Sequence, residues 1–205
     1  MRAAIKWPAV RRALAVIEPA SGAAIVEFAV ALPLLIVLVV GIFDFGGAFN
    51  LKQELNNAAR EGARFGAAQP TNDLCTTCGA PPSVDAIRYL VDSYLLAARI
   101  NDCGLNGAAI PGSGPPWSYT AAGNGCAGTL TLTIARDATG GLPTPSCSLT
   151  LNNYGGITPV YAPCTRVTIQ YPYQWHFNNV LQLISPGSSF LLSTIQTNAT
   201  VANLD

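Results

Sequence analysis

From Phe28 to Phe43 the chain runs sixteen residues, FAVALPLLIVLVVGIF, without a charged or strongly polar side chain. At about 1.5 Å per residue the run reaches roughly 24 Å, short of a ~30 Å hydrocarbon core. Counting back to Ala23 supplies the missing turn and places Glu27 inside the first turn of a membrane span. Pro33 predicts a kink or an opened turn, which membrane helices tolerate. Asp44 closes the run and marks its far interface. Beyond it the helix continues with a different pattern. Ala48, Leu51, Leu55, Ala58, Gly62 and Phe65 recur at alternating steps of three and four, the seam of packed helices. Beside that seam, Ala59, Ala63 and Ala67 form one i,i+4 column and Ala58, Gly62 and Gly66 the next. Columns of such small residues let another backbone approach closely. Two partners are open for this face, the helix's own domain and a neighbouring subunit. A single helix over 23–68 would reach roughly 70 Å, and Gln69-Pro70 ends it.

A second helix is predicted after Pro81-Pro82, with Ser83 as N-cap and Asp85 in the first turn. Val84, Ile87, Val91, Tyr94 and Ala98, with Leu90 and Leu95, form its apolar face. Residues 104–128, rich in Gly, Pro, Ala and Asn, read as loop. Thr129 to Ile134 alternates as a half-buried strand, with Leu130, Leu132 and Ile134 on one face. Residues 137–165 are again turn-rich. A loop of that length is uncommon unless it is functional or cross-linked. Val167, Ile169, Tyr171 and Tyr173 form a second strand, whose end Pro172 pushes to a sheet edge. A last strand covers about Phe190 to Val201, with Leu191, Ile195, Ala199 and Val201 on one side. The fold class is therefore α+β: a long N-terminal transmembrane and amphipathic helix, a second helix, and a small antiparallel sheet with long loops.

Charge divides the chain further. Arg2, Lys6, Arg11 and Arg12 against Glu18 make the first 22 residues basic, leaving seven basic and ten acidic residues beyond them. A basic start stays cytoplasmic while the chain past the apolar run crosses. Nothing basic remains in the exported part to grip nucleic acid, and that class is discarded. The six cysteines (Cys75, Cys78, Cys103, Cys126, Cys147, Cys164) all lie beyond the span. An even count in an exported domain reads as disulfides stapling the loops, in pairs that spacing does not identify. Cys75-x-x-Cys78 carries two rival readings. A thioredoxin-like site wants a helix N-terminus after a strand, and structural zinc wants a second close pair. His176, the one histidine, is expected to pack among Tyr173, Trp175 and Phe177. No G-x-S-x-G, H-E-x-x-H or P-loop pattern occurs. No enzymatic activity, cofactor or metal is expected.

Upstream of the run, Gly22 is followed by Ala23-Ala24-Ile25-Val26, then Glu27 and Phe28. That order resembles the processing site of type IV prepilins. The stretch GAAIVEFAVALPLLIVLVVGIFDFGGAFNLKQELNNAAREGAR, Gly22 to Arg64, resembles the TadE-like minor pilins of the tight-adherence (Tad, or Flp) pilus. The resemblance implies a leader over 1–22 cut after Gly22 by a prepilin peptidase. It implies a helix over 23–68 and an exported α+β domain over 69–205. Glu27 would then meet the new amino group of Ala23, often that of a neighbouring subunit. Implied partners are the major Flp pilin, a TadF-like pseudopilin and the inner-membrane assembly platform. The rival readings are a secreted disulfide-rich domain, cut after Gly46-Gly47-Ala48, and a membrane-anchored periplasmic enzyme or redox protein resting on the CxxC.

Overall fold

The computed structural model of the chain describes residues 19–74, 79–137, 147–151, 160–176 and 193–203. The chain forms two compact units, Met1–Phe43 and Asp44–Asp205. A single helix, α1 (Pro19–Ala67), runs through the boundary with Pro33 inside it. Among the described residues of the first unit, most of its large apolar side chains are exposed: Ile25, Leu34 and Phe43 are 68%, 71% and 76% exposed. Helix Gly22–Ala67 contains an eighteen-residue stretch of mean hydropathy 2.8 with none of it buried, long and apolar enough to cross a membrane. A helix that is apolar on every side is at rest only in apolar surroundings.

The second unit holds the rest of α1, a second helix α2 (Pro82–Ala97), a 3-10 turn (Leu105–Gly107) and a five-stranded antiparallel sheet. Its strands are β1 (Trp117–Ala121), β2 (Leu130–Arg136), β3 (Ser148–Leu151), β4 (Val160–Tyr173) and β5 (Ser193–Ala202). The order is β1-β2-β4-β3, and β5 also pairs with β4, so β4 organises the sheet. Register aligns one apolar row after another: Trp117 faces Ile134, Ile134 faces Val167, and Val167 faces Ala199. The next row is Tyr119, Leu132, Ile169 and Thr197. Against these rows pack Val84, Ile87, Val91 and Leu95 of α2 and Leu55, Ala58, Ala59 and Ala63 of α1, in one buried core. The period of 3.6 on the helices and of 2 on the strands makes each element one-sided, and burial joins the apolar sides.

Several expectations are corrected. Residues 104–128 are not simply loop, because they hold the 3-10 turn and β1. Trp117, Tyr119 and Ala121 are buried while Ser118 and Thr120 are exposed, a strand too short to outweigh its Pro- and Gly-rich flanks. Residues 137–165 likewise include β3 and the start of β4. Strand β4 is twice the length that its alternation announces, because Pro163 and Cys164 break the pattern without breaking the pairing. Pro172 pairs with Thr194 of β5, whereas the ladder with β2 stops at Gln170. A proline is tolerated there because one side of the strand has already lost that partner. The last strand is described over Ser193–Ala202, and its expected start, with Phe190 and Leu191, lies outside the described residues.

Ser83 is not the N-cap of α2. Pro81 occupies that position and caps with no side chain. Ser83 sits one residue inside the helix, where Asp73 accepts both its N–H (3.1 Å) and its hydroxyl (3.0 Å). A carboxylate from the preceding loop thus satisfies the helix N-terminus that no local residue caps. Arg136, fully buried at the end of β2, completes this junction. It donates to Ser83 Oγ (2.6 Å), to the Gln69 carbonyl (2.8 Å) just past α1, and to Thr165 Oγ1 (3.2 Å) on β4. A cation beside the last carbonyls of a helix is electrostatically favourable, and the planar guanidinium fork meets three elements at once.

Candidate functional site

Gly22, Ala23, Glu27 and Phe28 lie within α1 and are exposed. A Cβ built at Gly22 meets nothing within 4 Å, so no packing requires a glycine there. Glu27 places a carboxylate at the head of the uncovered apolar surface. In hydrocarbon such a group costs on the order of 3 kcal/mol and calls for a cation partner.

The small-residue columns have a different setting. Ala58, Ala59, Gly62, Ala63 and Gly66 are all buried inside the second unit. A Cβ on Gly62 would stand 3.0 Å from Val91 and 3.6 Å from Val167. On Gly66 it would stand 2.6 Å from Ile87 and 2.7 Å from Thr165. Of the two partners open to this face, its own domain occupies it. The close approach allows α1 to lie on both α2 and β4.

Where the apolar run ends, Asp44 is 5% exposed. Tyr173, the last residue of β4, donates its hydroxyl to Asp44 Oδ1 (3.0 Å) and lies 3.2 Å from the Asp44 carbonyl. Burial, and then the hydrogen bond to this carboxylate and its charge, push the Tyr173 phenol up to about 12. His176 places Nδ1 3.3 Å from the same Oδ1, with its side chain 83% exposed. It therefore stands in water beside Asp44 rather than packing among aromatics, which corrects the expectation for it. Trp175 meets Phe45 edge-on at 5.1 Å and Tyr173 at 5.0 Å. The run Tyr171-Pro172-Tyr173-Gln174-Trp175 carries an aromatic signal in the sequence, but only strand pairing brings it to Asp44.

The structure pairs Cys103 with Cys126 and Cys147 with Cys164. The first bridge ties the turn after α2 to the β1–β2 loop, and the second ties the start of β3 to β4. Cys75 and Cys78 lie outside the described residues. Among the described residues, no group of three or more His, Cys, Asp or Glu side chains could hold a metal ion.

Two polar clusters, one around Arg88 and one around Asp92, have no signature in the sequence. Arg88 donates to Asp85 (2.7 Å) and to the carbonyl of Leu105 (2.9 Å), and its guanidinium lies 4.0 Å from the Tyr89 ring centre. Tyr119 donates to Asp85 across 3.3 Å; burial and the Asp85 charge raise its phenol well above the usual range. At the far end of α2, Asp92 is buried, with Oδ1 unbonded among the described residues. Burial, then a hydrogen bond to Asp102 and that residue's charge, raise its pKa. Asp102 is also buried, which pushes its pKa up, but hydrogen bonds from Asn124 and the Gly104 backbone outweigh this and hold it below the ordinary value. Two carboxyls thus share a site with unequal affinities for a proton.

Residues 22–64 match the family model described as TadE-like protein. No curated protein and no solved structure matches the chain.

Proposed function

We propose that this chain, TadE-like over residues 22–64, is a minor pilin or pseudopilin that takes part in assembling a tight-adherence (Flp) pilus. The observation that carries the proposal is the coincidence of that match with an uncovered apolar helix headed by Gly22 and Glu27. The basic leader holds the chain in the inner membrane with residues 69–205 on the exported side. A prepilin peptidase cuts after Gly22. Glu27 then meets the amino group of Ala23 on a neighbouring subunit and sets the register of the helices. The partners are the major Flp pilin, a TadF-like pseudopilin and the inner-membrane platform, and the role is adhesive assembly without catalysis. A cut after Ala48, the alternative, would separate Tyr173 from the Asp44 that it bonds and strip the first half of α1 from the domain.

The test separates insertion from assembly. Glu27→Ala removes a charge from the edge of the bilayer, so insertion and cleavage after Gly22 persist. Assembly fails, because a neighbour's amino-terminal charge enters the helix bundle unpaired. Cells carrying Glu27→Ala are compared with cells carrying Glu54→Ala by counting surface pili and sequencing the mature N-terminus. Normal piliation in the Glu27 variant, or a mature chain beginning at Phe49, overturns the proposal.

A further inference from the structure

At the start of the second unit, two large apolar side chains of α1 are left in solvent beside a built aromatic cluster. Phe45 and Phe49 are 66% and 67% exposed, one helical turn apart. Trp175 closes on Phe45 and Tyr173 closes on Trp175, both edge-on. Tyr173 is held in turn by its bond to Asp44, and as the last residue of β4 it ties the cluster to the sheet. The last residue of the apolar run, Phe43, is two residues from Phe45 along the chain. Lys52 is exposed less than one turn past Phe49, and His176 is exposed beside Asp44.

We propose that Phe45, Phe49, Trp175 and Tyr173 form a collar that docks the exported domain on the headgroup layer of the bilayer its own helix crosses. This rests on the membrane-spanning part of the reading above and adds a second, monotopic contact to it. If residues 23–43 fill a ~30 Å hydrocarbon core, Phe45 lies about 3 Å beyond its edge, inside a headgroup layer of roughly 5–7 Å, and Phe49, about 9 Å beyond, lies at the outer limit of that layer. Trp and Tyr, whose rings carry a polar edge, are enriched in that layer, and Trp175 reaches it through its contact with Phe45. Chemistry therefore changes along the chain in the order of a leaflet: aliphatic to Phe43, aromatic from Phe45 to Phe49, cationic at Lys52.

The experiment reads Trp175 directly. Full-length chain carrying Trp7→Phe is reconstituted in vesicles of phosphatidylcholine and phosphatidylglycerol, with bromine either near the headgroup or near the acyl terminus. Subtracting the signal of the same chain with Trp175→Phe isolates Trp175 and leaves the buried Trp117 untouched. The expected result is quenching of Trp175 at least about twofold stronger by shallow than by deep bromine, and weak quenching by aqueous iodide. Phe45→Ser with Phe49→Ser, both at exposed positions, should weaken quenching by bromine and strengthen quenching by iodide. Flotation of the vesicles is measured in parallel. A chain that floats while Trp175 is quenched by iodide and ignores bromine overturns the collar and leaves the span intact. A chain that does not float overturns the span, and the collar with it. A Trp175 shielded from both quenchers, together with disulfide cross-linking between two Phe49→Cys chains, assigns the surface to a second copy and also overturns the collar.

Discussion

The hydroxyl of Tyr173 donates to Oδ1 of Asp44 across 3.0 Å, joining the end of the central strand to the residue that closes the apolar run. A buried carboxylate without a donor is costly, and this phenol supplies one from 129 residues away. Tyr173→Phe should therefore lower the unfolding free energy of the full chain in detergent by about 1 kcal/mol. The folded-state pKa is raised to about 12, so the contribution is intact below the ordinary phenol value and lost as pH rises through 12. Chemical denaturation at neutral and at strongly alkaline pH should show the wild-type advantage over Tyr173→Phe shrinking toward zero.

Glycines on one helix should respond differently. At Gly66 a methyl group would stand 2.6 Å from Ile87 and 2.7 Å from Thr165. Overpacking costs about 1–3 kcal/mol, against about 1 kcal/mol gained in helix propensity, so Gly66→Ala should be neutral to destabilising. At Gly22 the methyl meets nothing. Gly22→Ala should leave denaturation of the domain unchanged while mass spectrometry reports whether processing survives.

Arg136→Met keeps much of the volume and removes the fork that joins Gln69, Ser83 and Thr165. It leaves a helix-end carbonyl and the Ser83–Asp73 pair without a buried donor, at a cost of about 2–4 kcal/mol. Arg136→Lys should recover little, since one ammonium cannot reproduce the planar fork. Equal stability of the Arg and Lys chains in urea would remove the fork from the account.

The acid pair at the end of α2 has a pH signature. The raised pKa of Asp92 means that the protonated acid is the form the fold prefers. That preference is satisfied below the ordinary carboxylate value and lost as pH rises through the raised one. Asp102 works in the opposite sense, since its lowered pKa adds stability above the ordinary value and loses it as pH falls through the lowered one. Asp92→Asn keeps a donor for Asp102 and removes the charge. It should stabilise the domain by about 1 kcal/mol or more at neutral pH and by little in acid. Thermal melts of both chains across that range should diverge as pH rises; parallel curves would exclude Asp92 as the titrating group.

Both helices are legible from periodicity because the signal is long and repeated. Ala58, Gly62 and Gly66 recur often enough to mark a packed face, and Val84, Ile87, Val91 and Leu95 mark another. The head of α1 is legible for a related reason: Gly22, Glu27 and an uninterrupted apolar run are contiguous, so their chemistry is local. Strand β2 announces itself through alternation alone. Strand β1, five residues between turn-formers, does not, because its burial comes from pairing Trp117 with Ile134 and Tyr119 with Leu132. The occupant of the small-residue face depends equally on distance in the chain. Close approach is written in Gly62 and Gly66, but that Val91, Ile87 and Thr165 fill the space follows from how the sheet and α2 come together. Arg136, the Asp92–Asp102 pair and the Tyr173–Asp44 bond leave no local trace, since single polar residues have no period. Their partners are chosen by the fold, where an unsatisfied buried polar group costs more than any local preference can return.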